Sequence, residues 1–269
     1  MYPLTTTRIA LCIEYDGSAF NGWQVQQSAS VSTVQFALEQ ALSEIADHPV
    51  KVFCAGRTDT GVHACAQIVH FDSCSDRPLK AWVKGTNTLL PDDISVIWAK
   101  EVSSEFHARF SATARRYRYI IFNHPVKPAI LRNLVTSVRQ PLDAEAMHEA
   151  GQYLLGELDF TSYRGASCQS PTAMRRVVHL NVSRKDDFVI IDIKANAFLL
   201  HMVRNIAGVL IEVGGGRKQP AWAKEVMEKK DRSKGAVTAP PNGLFLVDVD
   251  YPEKYELPKT KPGPSFLPA

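Results

Sequence analysis

Between two apolar stretches, the segment Ala55-Gly56-Arg57-Thr58-Asp59-Thr60-Gly61-Val62-His63-Ala64 gathers a carboxylate, a guanidinium, an imidazole and two hydroxyls, with glycine on either side of the Asp. A structural connection would be plainer, and an Asp exposed on a tight loop is a natural catalytic carboxylate. Asp59-Thr60-Gly61 also matches the aspartic-protease tripeptide. Those enzymes need two aspartates sharing a proton, and the chain has no second Asp-Thr-Gly or Asp-Ser-Gly. Arg57, two residues earlier, also interrupts the apolar lead-in such a site requires, so a protease is disfavoured. His63 and Cys65 lie close together, but the H-x-E and P-C-x-x-C spacing of zinc deaminases is absent, so no metal is expected.

The elements that must hold this loop can be read from periodicity. Alternating or continuous apolar runs predict strands near Ile9–Tyr15, Val50–Ala55, Ala66–Phe71, Ile94–Ala99, Arg116–Phe122, Val177–Val182, Phe188–Ala195 and Leu244–Val249, with a hairpin turn at Arg184-Lys185-Asp186-Asp187. Ser32 with Gln35 three residues later reads as a capping box that opens a helix. Further helices are expected after Pro78, Asp143, Asn196 and Pro220. The third of these carries the stripe Leu199, Met202, Val203, Ile206, Leu210, Val213 and ends at Gly214-Gly215-Gly216, a C-cap rather than a phosphate loop, since a P-loop precedes its helix. Strands and helices without regular βαβ alternation predict an α+β fold with largely antiparallel sheets.

With 269 residues, 45% of them hydrophobic and 22% charged, the chain suits one large or two ordinary globular domains. No run approaches the ~18 apolar residues of a membrane span. The opening MYPLTTTRIALCIEYDG has no early basic cluster or cleavage signal, and the five scattered cysteines suggest reduced thiols, so a cytoplasmic protein is expected. Net charge is only +3, but it is segregated: the four acid-free windows 106–142, 160–185, 193–211 and 213–224 hold 17 of the 31 basic residues. In Arg115-Arg116-Tyr117-Arg118-Tyr119 arginine alternates with aromatics, which suits phosphate forks and base stacking as well as a solvated strand face. Arg109, Arg115, Arg116, Arg164, Arg175 and Arg176 are the candidate RNA contacts.

The decapeptide AGRTDTGVHA resembles the catalytic motif of the tRNA pseudouridine synthase A family. The segments IEYDGSAFNGWQVQ, FHARFSATARRYRYII, FTSYRGASCQSPTAMRRV, FLLHMVRNIAGVLIEVGGG and APPNGLFLV resemble family segments in the family's order, over about residues 8 to 250. The resemblance implies the pseudouridine synthase fold, two α+β domains of mixed, largely antiparallel sheets with flanking helices, taken here as 1–108 and 109–251 with a Pro-rich, irregular tail at 252–269. It implies Asp59 as the catalytic carboxylate, Arg204 as its ion-pair partner, Tyr117 against the uracil, Leu244 on the base's other side with Leu246 as a rival, and Arg57 on the RNA to help displace the target nucleotide; the role of Tyr119 is open. The implied reaction converts uridine to pseudouridine in the anticodon stem-loop of tRNA, at its positions 38, 39 and 40. It needs no cofactor, because a glycosidic bond is exchanged for a carbon–carbon bond without net redox change. A homodimer is implied too. The alternative is a non-catalytic RNA-binding module of the same fold.

Overall fold

The computed structural model describes residues 6–25 and 32–267. In chain order the elements are strand β1 (Thr7–Tyr15), helix α1 (Val34–Ala46), β2 (Phe53–Cys54), β3 (His63–Ser73), a π-helical turn (Ala81–Gly85) running into α2 (Thr86–Leu89), β4 (Ile94–Val102), β5 (Ala114–Asn123), β6 (Thr136–Val138), α3 (Ala144–Gln152), β7 (Gly156–Asp159), β8 (Met174–Lys185), β9 (Phe188–Ala195), α4 (Met202–Gly214), α5 (Trp222–Glu228) and β10 (Leu244–Asp250). They form two compact units, one running to Thr113 and taking up Leu246–Leu267, the other Ala114–Phe245.

The first unit has the strand order β4-β1-β3-β10, with β2 also on β3. β1 lies antiparallel to both β3 and β4, with Leu11 opposite Val69 and Ala99. Ile9 to Ile13 are all buried, which explains why this central strand reads as a continuous apolar run rather than an alternation. Leu38 and Leu42 of α1 and Trp82 join that core, Trp82 edge-on to Phe71 at 5.1 Å. The second unit has the order β5-β9-β8-β7 with antiparallel pairing, and β6 runs parallel to β5. Its core contains Tyr119, Ile121, Phe160, Tyr163, Ile191, Ile206 and Leu210. The α+β class with largely antiparallel sheets is thus the class read from the pattern.

Several boundaries differ from the sequence reading. The expected division after residue 108 falls inside the first unit, and the chain re-enters that unit at Leu246. Thr113 donates its N–H to Asp250 O at 2.8 Å, which ties the two crossings together. The tail is irregular, as its prolines dictate, but it packs within the first unit: Tyr255 is buried edge-on to Phe106 at 5.0 Å, and Pro264 is buried. The cap of α1 is Thr33, not Ser32; its hydroxyl accepts from Phe36 N–H, while Gln35 turns away to Glu39 and Val25. The Val50–Ala55 run pairs only over Phe53–Cys54, and β6 and β7, too short for a period, went unforeseen. Asp143 caps α3 as expected. The helix expected after Asn196 begins at Met202, so Leu199 belongs to its lead-in turn.

One histidine makes the first unit sensitive to acid. His70 is only 2% exposed, accepts the Ala108 N–H at 3.1 Å through Nδ1, and stacks on Phe53. Burial, helped by the charges of His107 and Arg8, lowers its pKa to about 4. The unfolded chain takes up this proton near pH 6.5 and the folded chain near 4. Stability is therefore full above about 6.5 and falls as pH drops to about 4, by about 2 kcal/mol after solvent screening. Thermal melts at pH 7, 5.5 and 4 should show that loss in the wild type and a shallower one in His70→Asn. Equal slopes would assign the acid sensitivity to other groups.

Candidate active site

The loop carrying Asp59 joins β2 to β3 and occupies residues 55–62, because His63 and Ala64 already belong to β3. Its turn follows from Asp59-Thr60-Gly61-Val62: Val62 N–H closes on Asp59 O at 3.1 Å, and Gly61 at the third position has φ +75°, which only glycine adopts without strain. The entry to the loop is fixed by buried Gln67, whose amide donates to Gly56 O at 2.6 Å and accepts from Gly56 N–H.

A second segment, Asp16 to Trp23, lies against this turn. Trp23 N–H donates to Thr58 O at 3.0 Å, and the buried Thr58 hydroxyl meets Tyr15 OH at 2.8 Å. At Gly22, φ is +83° and a Cβ would stand 2.8 Å from Thr58 O; at Gly17 a Cβ would stand 2.0 Å from Val62 O. Two glycines therefore let this backbone approach both sides of Asp59. The segment is anchored in turn by α1, whose first free N–H groups, on Val34 and Gln35, donate to Gly22 O and Trp23 O. Below the turn, Nδ1 of buried His63 lies 3.0 Å from Gly17 N and 3.1 Å from Asp16 Oδ1. His63, with the Ser18 hydroxyl and amide, holds the Asp16 carboxyl far below the usual carboxylate range against the effect of burial. Asp59 is partly exposed and Arg57 is exposed beside it. The Cys54 thiol, just before the loop, is pushed up to about 12 by burial.

In the second unit, Tyr117 lies on β5, 8% exposed and edge-on to Phe198 at 5.0 Å. Arg204 lies in the first turn of α4, out of step with the buried stripe and half-buried; its Nε donates to Ala239 O at 2.9 Å, and Ala239 N–H returns to Arg204 O at 3.1 Å. A Cβ on Gly208, one turn on, would meet Val237 O at 2.2 Å, so that glycine lets the irregular stretch 236–240 reach the helix. Asn242 then donates to Val135 O, and Gly243 packs against Ile120 O, where a Cβ would stand at 2.6 Å. This delivers Leu244 at the start of β10, 6% exposed. Leu246, its rival, is fully buried. Tyr119 is settled as a core residue: its hydroxyl is engaged by Thr136 at 2.6 Å and Pro240 O at 2.8 Å, and burial raises its pKa.

The basic candidates divide sharply. Arg116 and Arg118, two apart on one face of β5, both grip Asp192 of β9, at 2.6 and 2.9 Å, with His179 3.8 Å away. Burial works against ionisation of Asp192, but the two arginines outweigh it and hold the carboxyl below its ordinary value. Arg116 is thus not the open charge that its acid-free window suggested; the acid comes from the neighbouring strand. Arg175 is engaged more deeply. It shares the buried phase of β8 with Val177, is 8% exposed, and donates to Thr172 O, Met174 O and the Ser170 hydroxyl. Arg164 donates to Cys168 O and Ser170 O, bracing the same loop. Arg115 is half-exposed with Nη1 on Asn196 O, and Arg176 and Arg109 are exposed. Among the described residues no three His, Cys, Asp or Glu side chains cluster to hold a metal, and no helix is long and apolar enough to cross a membrane.

A tRNA pseudouridine synthase family model matches residues 11–111 and 150–252. A protein of Vibrio parahaemolyticus called tRNA pseudouridine synthase A is 58% identical over 261 residues, 97% of this chain and 98% of that one. Proteins of the same name from Aliivibrio salmonicida and Coxiella burnetii are each 56% identical over 261 residues, covering 97% of this chain and 99% of theirs.

Proposed function

The chain belongs to the tRNA pseudouridine synthase family, and on that premise we propose that Asp59 is the carboxylate through which it converts uridine to pseudouridine in tRNA. The observation that carries the assignment is the construction around Asp59: a glycine-dependent turn clamped from both sides, holding a partly exposed carboxylate on an otherwise rigid backbone. The reaction is an isomerisation. The N1–C1′ bond breaks, the uracil turns, C5 bonds to C1′, and the C5 proton is lost while N1 gains one, so atoms and charge balance without a co-reactant.

The remaining roles are those that the family resemblance implies, and the chemistry of each side chain suits them. Tyr117 offers a ring edge or face to the uracil and Leu244 an apolar surface to the base. Arg204 supplies positive charge that favours the ionised carboxylate, and its bond to Ala239 O fixes the direction of its fork. Arg57 is exposed two residues from Asp59, where it can take the place of the displaced nucleotide, since a stacked uridine cannot present its sugar to a carboxylate. Of the six candidate RNA contacts, Arg109 and Arg176 are exposed and Arg115 half-exposed, open enough to meet phosphate. The proposal extends to uridines of the anticodon stem-loop as targets and to a homodimer working in the cytoplasm, a reducing setting with which five cysteines outside any disulfide agree.

The test is tritium release from tRNA transcribed with uridine labelled at C5, because bonding C5 to the sugar must expel that label. Release by the wild type, with the product sequenced to locate the site, is the expected result. Binding of folded tRNA without release would leave only an RNA-binding module.

A further inference from the structure

Immediately before the catalytic loop, the first unit carries a column of rings that the reaction does not use. Phe53 of β2 lies 5.5 Å from His107, and His107 lies 4.4 Å from Phe110, with His70 behind at 4.6 Å from His107. Cations stand at both ends: Lys51 Nζ is 5.9 Å from the centre of the Phe53 ring, and Arg109 Cζ is 5.5 Å from that of Phe110. Phe110 is 76% exposed and Phe53 43%. The column borders the catalytic loop through Phe53, since β2 (Phe53–Cys54) runs directly into residues 55–62.

The turn that carries the outer ring is fixed by hydrogen bonds. Nδ1 of His107 accepts the N–H groups of Arg109 and Phe110 at 3.1 and 3.3 Å, Ser111 N–H donates to His107 O at 2.8 Å, and His107 N–H donates to the Ser111 hydroxyl at 2.9 Å. A largely exposed phenylalanine on a fully bonded turn is costly to maintain in water and loses little freedom when something flat covers it. A rigid aromatic face beside a guanidinium is the arrangement that takes a nucleobase and its phosphate with little regard to sequence. A second copy related by a two-fold axis fits poorly, because it would set the two cationic ends of the column, Lys51 and Arg109, against each other.

We infer that Phe110, backed by His107 and Phe53 and flanked by Arg109, is a second RNA subsite, which stacks an unpaired base of the tRNA other than the uridine being isomerised. This rests on the reading of the chain as a tRNA-modifying enzyme. A nucleotide extruded from a stem or loop leaves neighbours that have lost a stacking partner, and a ring beside the catalytic loop replaces it.

The experiment measures tRNA affinity at several salt concentrations for the wild type, Phe110→Ala, Phe110→Trp and Arg109→Gln, with tritium release and sedimentation on the same preparations. Phe110→Ala should weaken binding roughly 5- to 100-fold with the salt slope unchanged, and Phe110→Trp should stay within about threefold of wild type. Arg109→Gln should weaken binding and lower the slope by about 0.7. Wild-type affinity in Phe110→Ala overturns the inference, as does weakened binding that tracks loss of a dimer in sedimentation. Absence of release from the wild type would instead strike the functional reading itself, so the two failures are separable.

Discussion

Asp59→Asn is expected to abolish C5 tritium release, by at least about 1000-fold, while tRNA affinity stays within a few fold of wild type. The substitution keeps the size and the turn, since Val62 N–H bonds to the backbone oxygen of residue 59 and not to its side chain. What it removes is a negative charge that can attack carbon or take a proton. An interaction needed only during reaction shows in turnover and not in ground-state binding. Phosphate contacts, which dominate RNA affinity, are untouched. Joint loss of binding and turnover would show that Asp59 has a structural role, and retained turnover would remove it from the chemistry. Filter binding with tritium release on one preparation decides among these outcomes.

The second large effect is expected at a residue that carries no chemistry. Gly17→Ala places a methyl 2.0 Å from Val62 O and 2.7 Å from Val62 C, both backbone atoms, so no side chain can move to make room. Either the Asp16–Trp23 segment or the turn of Asp59 must shift. Overpacking of this kind costs about 3 kcal/mol. Displacement of the reacting carboxylate by about an ångström is expected to cost roughly 100-fold in turnover of the molecules that remain folded. Gly156→Ala is the control: φ is +99° but nothing lies within 4 Å of a new Cβ, so only backbone strain of about 1 kcal/mol is expected, with unaltered turnover. Denaturant unfolding and tritium release on both variants make the comparison. Equal, small losses in the two would mean that the turn adapts to Gly17.

The central strands were legible because their patterns are local. RIALCIEY is apolar enough to be a strand buried on both faces, and ARRYRYII and FVIIDIKA alternate or run as neighbours that pair, with Arg118 opposite Asp192. The start of α1 was misplaced by one residue because Ser32 and Thr33 are chemically equivalent caps, and only the geometry of the Phe36 N–H distinguishes them. The acid-free windows misjudged Arg116 for a related reason: charge was counted along the chain, whereas neutralisation runs across strands. The burial of Arg175 was within reach, since period two puts it in phase with Val177.

By itself the sequence determined the fold class, the family and the loop that carries Asp59, because these are recorded in residue type and short-range order: apolar period, turn glycines and a dense run of reactive groups. Only the tertiary structure decided what holds that loop and which arginines are paired or exposed. The clamp joins residues 17 and 22 to 62 and 58, and Arg116 and Arg118 meet an acid more than seventy residues away. No local pattern encodes such meetings, because they are fixed by how strands register and how closely two backbones can approach where a side chain is missing.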